Sequence, residues 1–429
     1  MELIVDLHTH SSYARATSKQ LTLENIYKWA KIKGINVIST ADFTHPKWFN
    51  ELYSKLELDE GGLLELKKEF TKPVDDSLPQ TVKNNKVRFI LSTEISNIYS
   101  KAGRVRRLHN LVIVPNFQIA SEIIAQLSRI GNLNADGRPI IGMDSKELLR
   151  MTIESHPDSL FIPAHIWTPW FAMFGSNSGF DSLIEAFEEL SPHIRAVETG
   201  LSSDPFMNWR LRQLDGITVV SGSDAHSLPK LAREANILNC EWDYKEIIGA
   251  IKTNDKRFVG TLEFFPEEGM YHLDGHRKCN IRLTPDETKK INGICPVCGN
   301  KLVVGVMHRV DDLADRPEGY VPKNHKIVES IVPIVEIIAE TKNIKSIHSK
   351  SVTDEYDRVI ASLGDDFTIL RHKTSKDIAK AGFLELAIAI DKIRKKEIYI
   401  EPGYDGVYGI VKIFKPGEIK QKSGQLSFL

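Results

Sequence analysis

The feature that most restricts this chain is a repeated pairing of a short hydrophobic run with a polar, metal-seeking end. Leu3-Ile4-Val5 leads into Asp6-Leu7-His8-Thr9-His10, and Ile35-Asn36-Val37-Ile38-Ser39-Thr40 leads into Ala41-Asp42-Phe43-Thr44-His45. The same order recurs over 87–94, 108–115, 160–166, 194–198 and 218–226. Between several of these lie stretches with apolar residues at helical spacing, such as Leu21 to Lys33, closed by Gly34. Alternating strands and helices predict an α/β domain with a largely parallel sheet. Strands whose carboxyl ends carry His, Asp and Glu predict a barrel, because those ends converge on one mouth.

Composition sets the outer limits. The chain has 429 residues, 56 Lys+Arg against 57 Asp+Glu, and 41% hydrophobic residues, which excludes disordered and fibrous classes. With the charges balanced, any attraction to a polyanion must come from local patches. No apolar run reaches the roughly 18 residues of a membrane span, and the start has no basic signal-like region, so the expectation is a cytoplasmic protein without a membrane partner. The predicted organisation is a catalytic barrel over 1–265, a small zinc-binding domain over 266–320, a helical C-terminal domain over 321–410 and a flexible tail over 411–429. Helices are predicted at Ile327 to Thr341, Thr353 to Leu363 and Ser375 to Lys395.

Two sets of metal ligands stand out. His8 and His10 lie two apart at a strand end, so both rings face one side and can reach one ion. Asp224-Ala225-His226, after Gly222-Ser223, repeats that spacing, and Glu94, His109 and His165 are each predicted to end a strand. Imidazoles with carboxylates suit two or three divalent ions such as Zn, Mn or Mg. The second set is His276 and Cys279 with Cys295-Pro-Val-Cys298, a spacing for one closed structural zinc. His272 or His308 could replace His276.

Other segments bear on substrate. The loop after His165 holds Trp167, Trp170 and Phe171 with Ser176, Ser178 and Gly179, which reads either as core or as the wall of a pocket for a flipped base. Arg104 to Arg107 reads as a solvated turn or as cations for backbone phosphates.

The order of His8-Thr9-His10, Glu94, His109, His165 and Gly222-Ser223-Asp224-Ala225-His226 resembles the PHP superfamily of metal-dependent phosphoesterases. That resemblance implies a distorted (β/α)7 barrel in which His8, His10, Glu94 and Asp224 are catalytic and hold one metal. Glu94 would bridge to a second held by His109 and His165, and His226 would serve a third. Where the superfamily usually has Thr-Asp-His, this chain reads Ala41-Asp42-Phe43-Thr44-His45, leaving Asp42 and His45 as additional ligand candidates. With the Tyr271 to Asn280, Cys295 to Gly299 and His308 to Arg316 runs added, the whole chain resembles the endonuclease Q family. The implied activity is a DNA repair endonuclease using metal-activated water. It would cut 5′ of deaminated bases (uracil, hypoxanthine, xanthine) and of abasic sites. The alternative is a phosphoesterase acting on a small phosphorylated metabolite. The C-terminal Gln425-Leu426-Ser427-Phe428-Leu429 resembles a sliding-clamp binding peptide.

Overall fold

The computed structural model describes residues 1–415, 418–422 and 425–428, with 419–422 and 425–428 described as backbone strands alone. The clamp-like peptide therefore falls on side chains, and on a final residue, outside the described part.

Strand β1 (Glu2–Asp6) buries Leu3, Ile4 and Val5 and runs parallel to β2 (Val37–Ser39), with Val5 beside Val37. Between them, the helix Leu23–Lys33 starts on the Thr22 hydroxyl and stops at Gly34, whose φ of 80° is the left-handed conformation such a cap requires. Strand β3 (Arg88–Lys101) is parallel to β2, then turns at Ala102-Gly103 into β4 (Arg104–Val114), which runs back antiparallel along it. Strand β5 (Leu160–Pro163) is antiparallel to β4, and β6 (Ala196–Glu198) is parallel to β7 (Thr218–Val220).

Main-chain hydrogen bonds carry the circuit onward. The Ile166 N–H donates to the Glu198 carbonyl at 3.1 Å, and the Asp224 N–H to the His8 carbonyl at 2.8 Å. Thr9 and Ala225 form an isolated parallel bridge, which returns the circuit to β1. On the outer side of β1, β8 (Ala235–Asn239) and β9 (Phe258–Glu263) add antiparallel strands, and β10 (Ile327–Ser330) pairs parallel with β9.

Four expectations change. The segments 87–94 and 108–115 are not successive parallel strands but arms of one long hairpin, so Glu94 and His109 lie within strands and not at their ends. Arg104 to Arg107 is strand: Arg106 is buried, stacks 3.9 Å from the Phe180 ring and donates to the Gly179 carbonyl. The helix predicted at Ile327 begins only at Ile334, after Pro333, because the β-branched Ile327-Val328 joins the large sheet beside β9. The last predicted helix is also split, into Ser375–Lys380 and Leu384–Arg394, by Gly382 at φ 95°. These helices close a second core around Ile334, Ile338, Val359, Ile360 and Ile390. In chain order, between β9 and β10 lie a short hairpin, Asp274–His276 with Ile281–Leu283, and the helices Pro285–Lys290 and Val306–Leu313.

Candidate metal centre

Glu94 and His109 are set within strands, whereas Asp42, His165 and Asp224 are set by sharp turns after strands. Asp42, His165 and Asp224 all have positive φ (40°, 30° and 44°), a conformation that is costly for residues with a side chain. Such strain persists only where surrounding structure enforces it. At Asp224 the enforcement comes from buried Asp6, whose carboxylate accepts from Ser223 N at 3.1 Å, Ser223 Oγ at 2.6 Å and Ala232 N at 2.9 Å.

The turns bring distant residues together. Ligand atoms of His8, His10, Glu94 and Asp224 all lie within 4.8 Å of one another, as do those of Glu94, His109 and His165. Glu94 is common to both groups. Its Oε1 faces His109 Nδ1 at 2.7 Å and His165 Nε2 at 3.1 Å, while its Oε2 faces His10 Nε2 at 3.2 Å and His8 Nε2 at 3.5 Å. His8 Nε2 is buried without a hydrogen-bond partner, 3.7 Å from Asp224 Oδ1. An orphaned imidazole nitrogen among carboxylates is the donor set a divalent cation satisfies, so the residues fit metal ions.

The electrostatics follow from this crowding. Burial pushes the Glu94 carboxyl up, but the charges of His109, Arg138 and His8 outweigh it and hold it well below the usual range. Asp224 is likewise held far down by His10 and His8 against its burial. For His8, burial favours the neutral ring, yet Glu198 and Glu94 outweigh it and raise the pKa well above 6.5. At His109 burial wins and the pKa falls to about 4.

The additional ligand candidates take supporting positions. Asp42 accepts from Ser11 N at 2.7 Å and faces His10 Nδ1 at 3.1 Å, so it orients that ring from behind. His45 packs on Tyr13 with ring centroids 4.6 Å apart, and Phe43 is core. His226 lies 4.7 Å from the His10 ring, its Nδ1 held by the Asp224 carbonyl at 2.8 Å. None of these three histidine or aspartate side chains joins the grouped ligand atoms.

Two functional side chains escaped the sequence reading. Both Glu198 oxygens sit 3.0 Å from His8 Nδ1, and Oε2 also accepts from the His165 N–H at 2.9 Å. Its position ending the Ala196-Val197 strand was the available signal. Arg138 donates from Nη1 to Glu94 Oε2 at 3.0 Å with a quarter of its side chain exposed. It lies in an aperiodic loop and carried no signal.

The aromatic loop divides. Trp167 is enclosed, donating to Asn208 Oδ1 at 2.9 Å. Ser178 is buried and donates to the Arg107 carbonyl, and Gly179 is packed too tightly for a Cβ, which would lie 2.5 Å from Met173 O. These three belong to the fold and not to an open wall. Trp170 is exposed and meets Tyr271 edge-on, Phe171 packs 4.8 Å from the His109 ring, and Ser176 is exposed. Arg309, on the helix Val306–Leu313, fastens the loop through the Phe174 and Phe180 carbonyls at 2.9 and 3.0 Å.

At the second metal-ligand set, His276, Cys279, Cys295 and Cys298 gather their ligand atoms within 4.8 Å. Burial raises the Cys295 thiol, but the Cys298 and Val297 amides and His276 draw it down to about 6, favouring the thiolate a zinc ion needs. His276 is thus the histidine in place: His308 Nδ1 instead faces Asp274 Oδ2 at 2.5 Å, and His272 lies outside the group.

Comparisons with known proteins extend over nearly all of the chain. Residues 333–397 match the MJ0043 C-terminal domain family. The chain is 27% identical to the uncharacterized YqxK protein of Bacillus subtilis, covering 96% of this chain and 99% of that protein. It is 29% identical over 293 residues to the MJ0043 protein of Methanocaldococcus jannaschii, where it spans about a third (36%) of that protein's length. Among solved structures, the lesion-specific endonuclease PfuEndoQ of Pyrococcus furiosus superposes with TM-score 0.83 at 29% identity, over 97% of this chain and 96% of that one. An Endonuclease Q complex with a 27-mer duplex carrying an abasic lesion at the active site superposes with TM-score 0.81 at 30% identity, over 97% and 98%.

Proposed function

The chain belongs to the endonuclease Q family, and from that premise we propose that it is a metal-dependent DNA repair endonuclease. Its substrates in this reading are duplexes with a deaminated base (uracil, hypoxanthine or xanthine) or an abasic site, cut 5′ of the lesion. The observation that carries the reading is the Glu94 carboxylate shared by two buried ligand groups. When bound, two divalent cations neutralise phosphate charge and lower the pKa of water in an in-line displacement.

The protein's own groups have separate tasks. Glu198 keeps the His8 proton on Nδ1, so the Nε2 lone pair faces Glu94 and Asp224. Asp42 does the same for His10. Glu94, His109 and His165 form the second ligand group, and the Cys/His cluster holds a structural zinc. Trp170, Phe171 and Ser176 border the mouth and supply stacking and polar surfaces for an extruded nucleotide. Extrusion costs least where a base is mispaired or missing, which favours lesions. In the cut, a water oxygen bonds to phosphorus, one P–O ester bond breaks, the water gives up a proton and the leaving oxygen takes one.

A nicking assay on end-labelled duplexes with uracil, hypoxanthine, xanthine, an abasic site or no lesion tests this. Metal-dependent cutting beside lesions, lost on Asp224→Ala, is expected. Equal cutting of undamaged duplex, or full activity of Asp224→Ala, refutes it.

A further inference from the structure

Resting on that reading, we propose that Arg138 is a catalytic residue that binds the non-bridging oxygens of the phosphodiester being cut. Its geometry has two parts. First, the backbone holds it at the mouth. The Arg138 N–H donates to Asp136 Oδ1 at 3.1 Å, the same oxygen receives the Arg15 N–H at 3.0 Å, and the Gly137 N–H donates to the Tyr13 carbonyl at 3.1 Å. A Cβ at residue 137 would lie 2.4 Å from Asp42 Oδ2, so the loop packs directly on the residue that orients His10. Second, among the described residues, Arg138 is the one lysine or arginine paired with a carboxylate of the grouped ligands.

That pairing is the resting state of a group with another task. Glu94 Oε2, its partner, also faces His8 and His10 across the gap that fits a cation. With Glu94 Oε2 engaged by an ion that the His8, His10, Glu94 and Asp224 group would hold, the guanidinium would be released from that oxygen and free to meet an anion at the mouth, with Asp224 and Asp136 as its other acidic neighbours. A guanidinium offers five N–H donors in a plane that matches two phosphate oxygens. A quarter of the Arg138 side chain is already exposed, so it can turn from Glu94 to substrate without unpacking the core. Arg233 uses its donors on the Ser223 and Asp224 carbonyls and serves the backbone, and the exposed Arg15 side chain faces Asp136.

The test uses the full-length, metal-loaded protein and a duplex with one abasic site. Single-turnover cleavage and bound metal by mass spectrometry are measured for wild type, Arg138→Ala and Arg138→Lys. Removing one preorganised charge-stabilising donor lowers the rate about 10²–10³-fold. Arg138→Ala should show a loss of this order with metal content unchanged. Arg138→Lys should retain more rate, and added ethylguanidinium should restore rate to Arg138→Ala in a saturable way. An Arg138→Ala rate within about threefold of wild type overturns the proposal while leaving the endonuclease reading intact. Loss of bound metal in Arg138→Ala also overturns it, since the arginine would then only position Glu94, and so does failure of both lysine and ethylguanidinium to recover rate. A wild-type protein that cuts neither this duplex nor bis(p-nitrophenyl) phosphate overturns both readings.

Discussion

Glu198 offers the sharpest test of how the centre is held. In Glu198→Ala two buried groups lose their acceptor together, the His8 ring Nδ1 at 3.0 Å and the His165 amide at 2.9 Å. Each buried group left unpaired costs about 1–3 kcal/mol, so the apoprotein should lose about 2–6 kcal/mol, toward the lower end because a buried carboxylate's own desolvation is relieved. Glu198→Gln keeps a carbonyl oxygen for both donors and should recover most of that stability. It should not recover metal binding. An amide does not raise the basicity of His8 as a carboxylate does, and the loss of such an outer partner typically costs about 10–100-fold in metal affinity. Urea unfolding of the metal-stripped proteins measures the first effect, and calorimetric titration with Mn²⁺ the second. If Glu198→Ala unfolds within about 0.5 kcal/mol of wild type and binds Mn²⁺ equally well, Glu198 does not position His8.

Three further outcomes are expected. In Gly222→Ala the new Cβ would lie 2.2 Å from Glu198 Oε1 and 2.6 Å from His8 Cβ; overpacking of about 1–3 kcal/mol, with reduced bound metal, should appear in melting curves and metal analysis. Cys298→Ser should release zinc and loosen the helix bearing Arg309, so limited proteolysis within 166–181 should speed up relative to wild type. Burial pushes the Glu263 carboxyl up to about 8, against the pull of its hydrogen bonds from Ser221 and Thr199. A carboxyl that stays protonated in the fold but ionises near 4.5 when unfolded stabilises fully below about 4.5, and the contribution is lost as pH rises through about 8. Glu263→Gln should therefore lose less stability than wild type between pH 5 and 8, read as the shift in urea midpoint.

What the sequence made legible was chemistry at short range. Two imidazoles two residues apart on a strand end, or two cysteines with two residues between them, have their geometry set by local backbone alone, and His8, His10, Cys295 and Cys298 sit in groups as their spacing implied. Strand direction was not legible. The β3–β4 hairpin turns on Ala102-Gly103, amid Lys and Arg, without the Asn-Gly or Asp-Gly signal of a tight turn, so its arms resembled two separate strands. Side-chain aim was not legible either. Glu198 and Glu94 both follow apolar runs, yet one faces the back of His8 and the other faces the gap between the ligand groups. Trp167 and Trp170 stand three apart in one loop, yet the first is sealed against Asn208 and the second is exposed, because the chain turns through positive φ at His165 and again at Phe171. The turns at Asp224 and His165 are held by partners far away in the chain, Asp6 beneath Asp224 and Glu198 on the His165 amide. Composition near a residue can nominate it as a ligand, whereas its role as ligand, ligand support or substrate contact is decided by which remote group fixes its backbone.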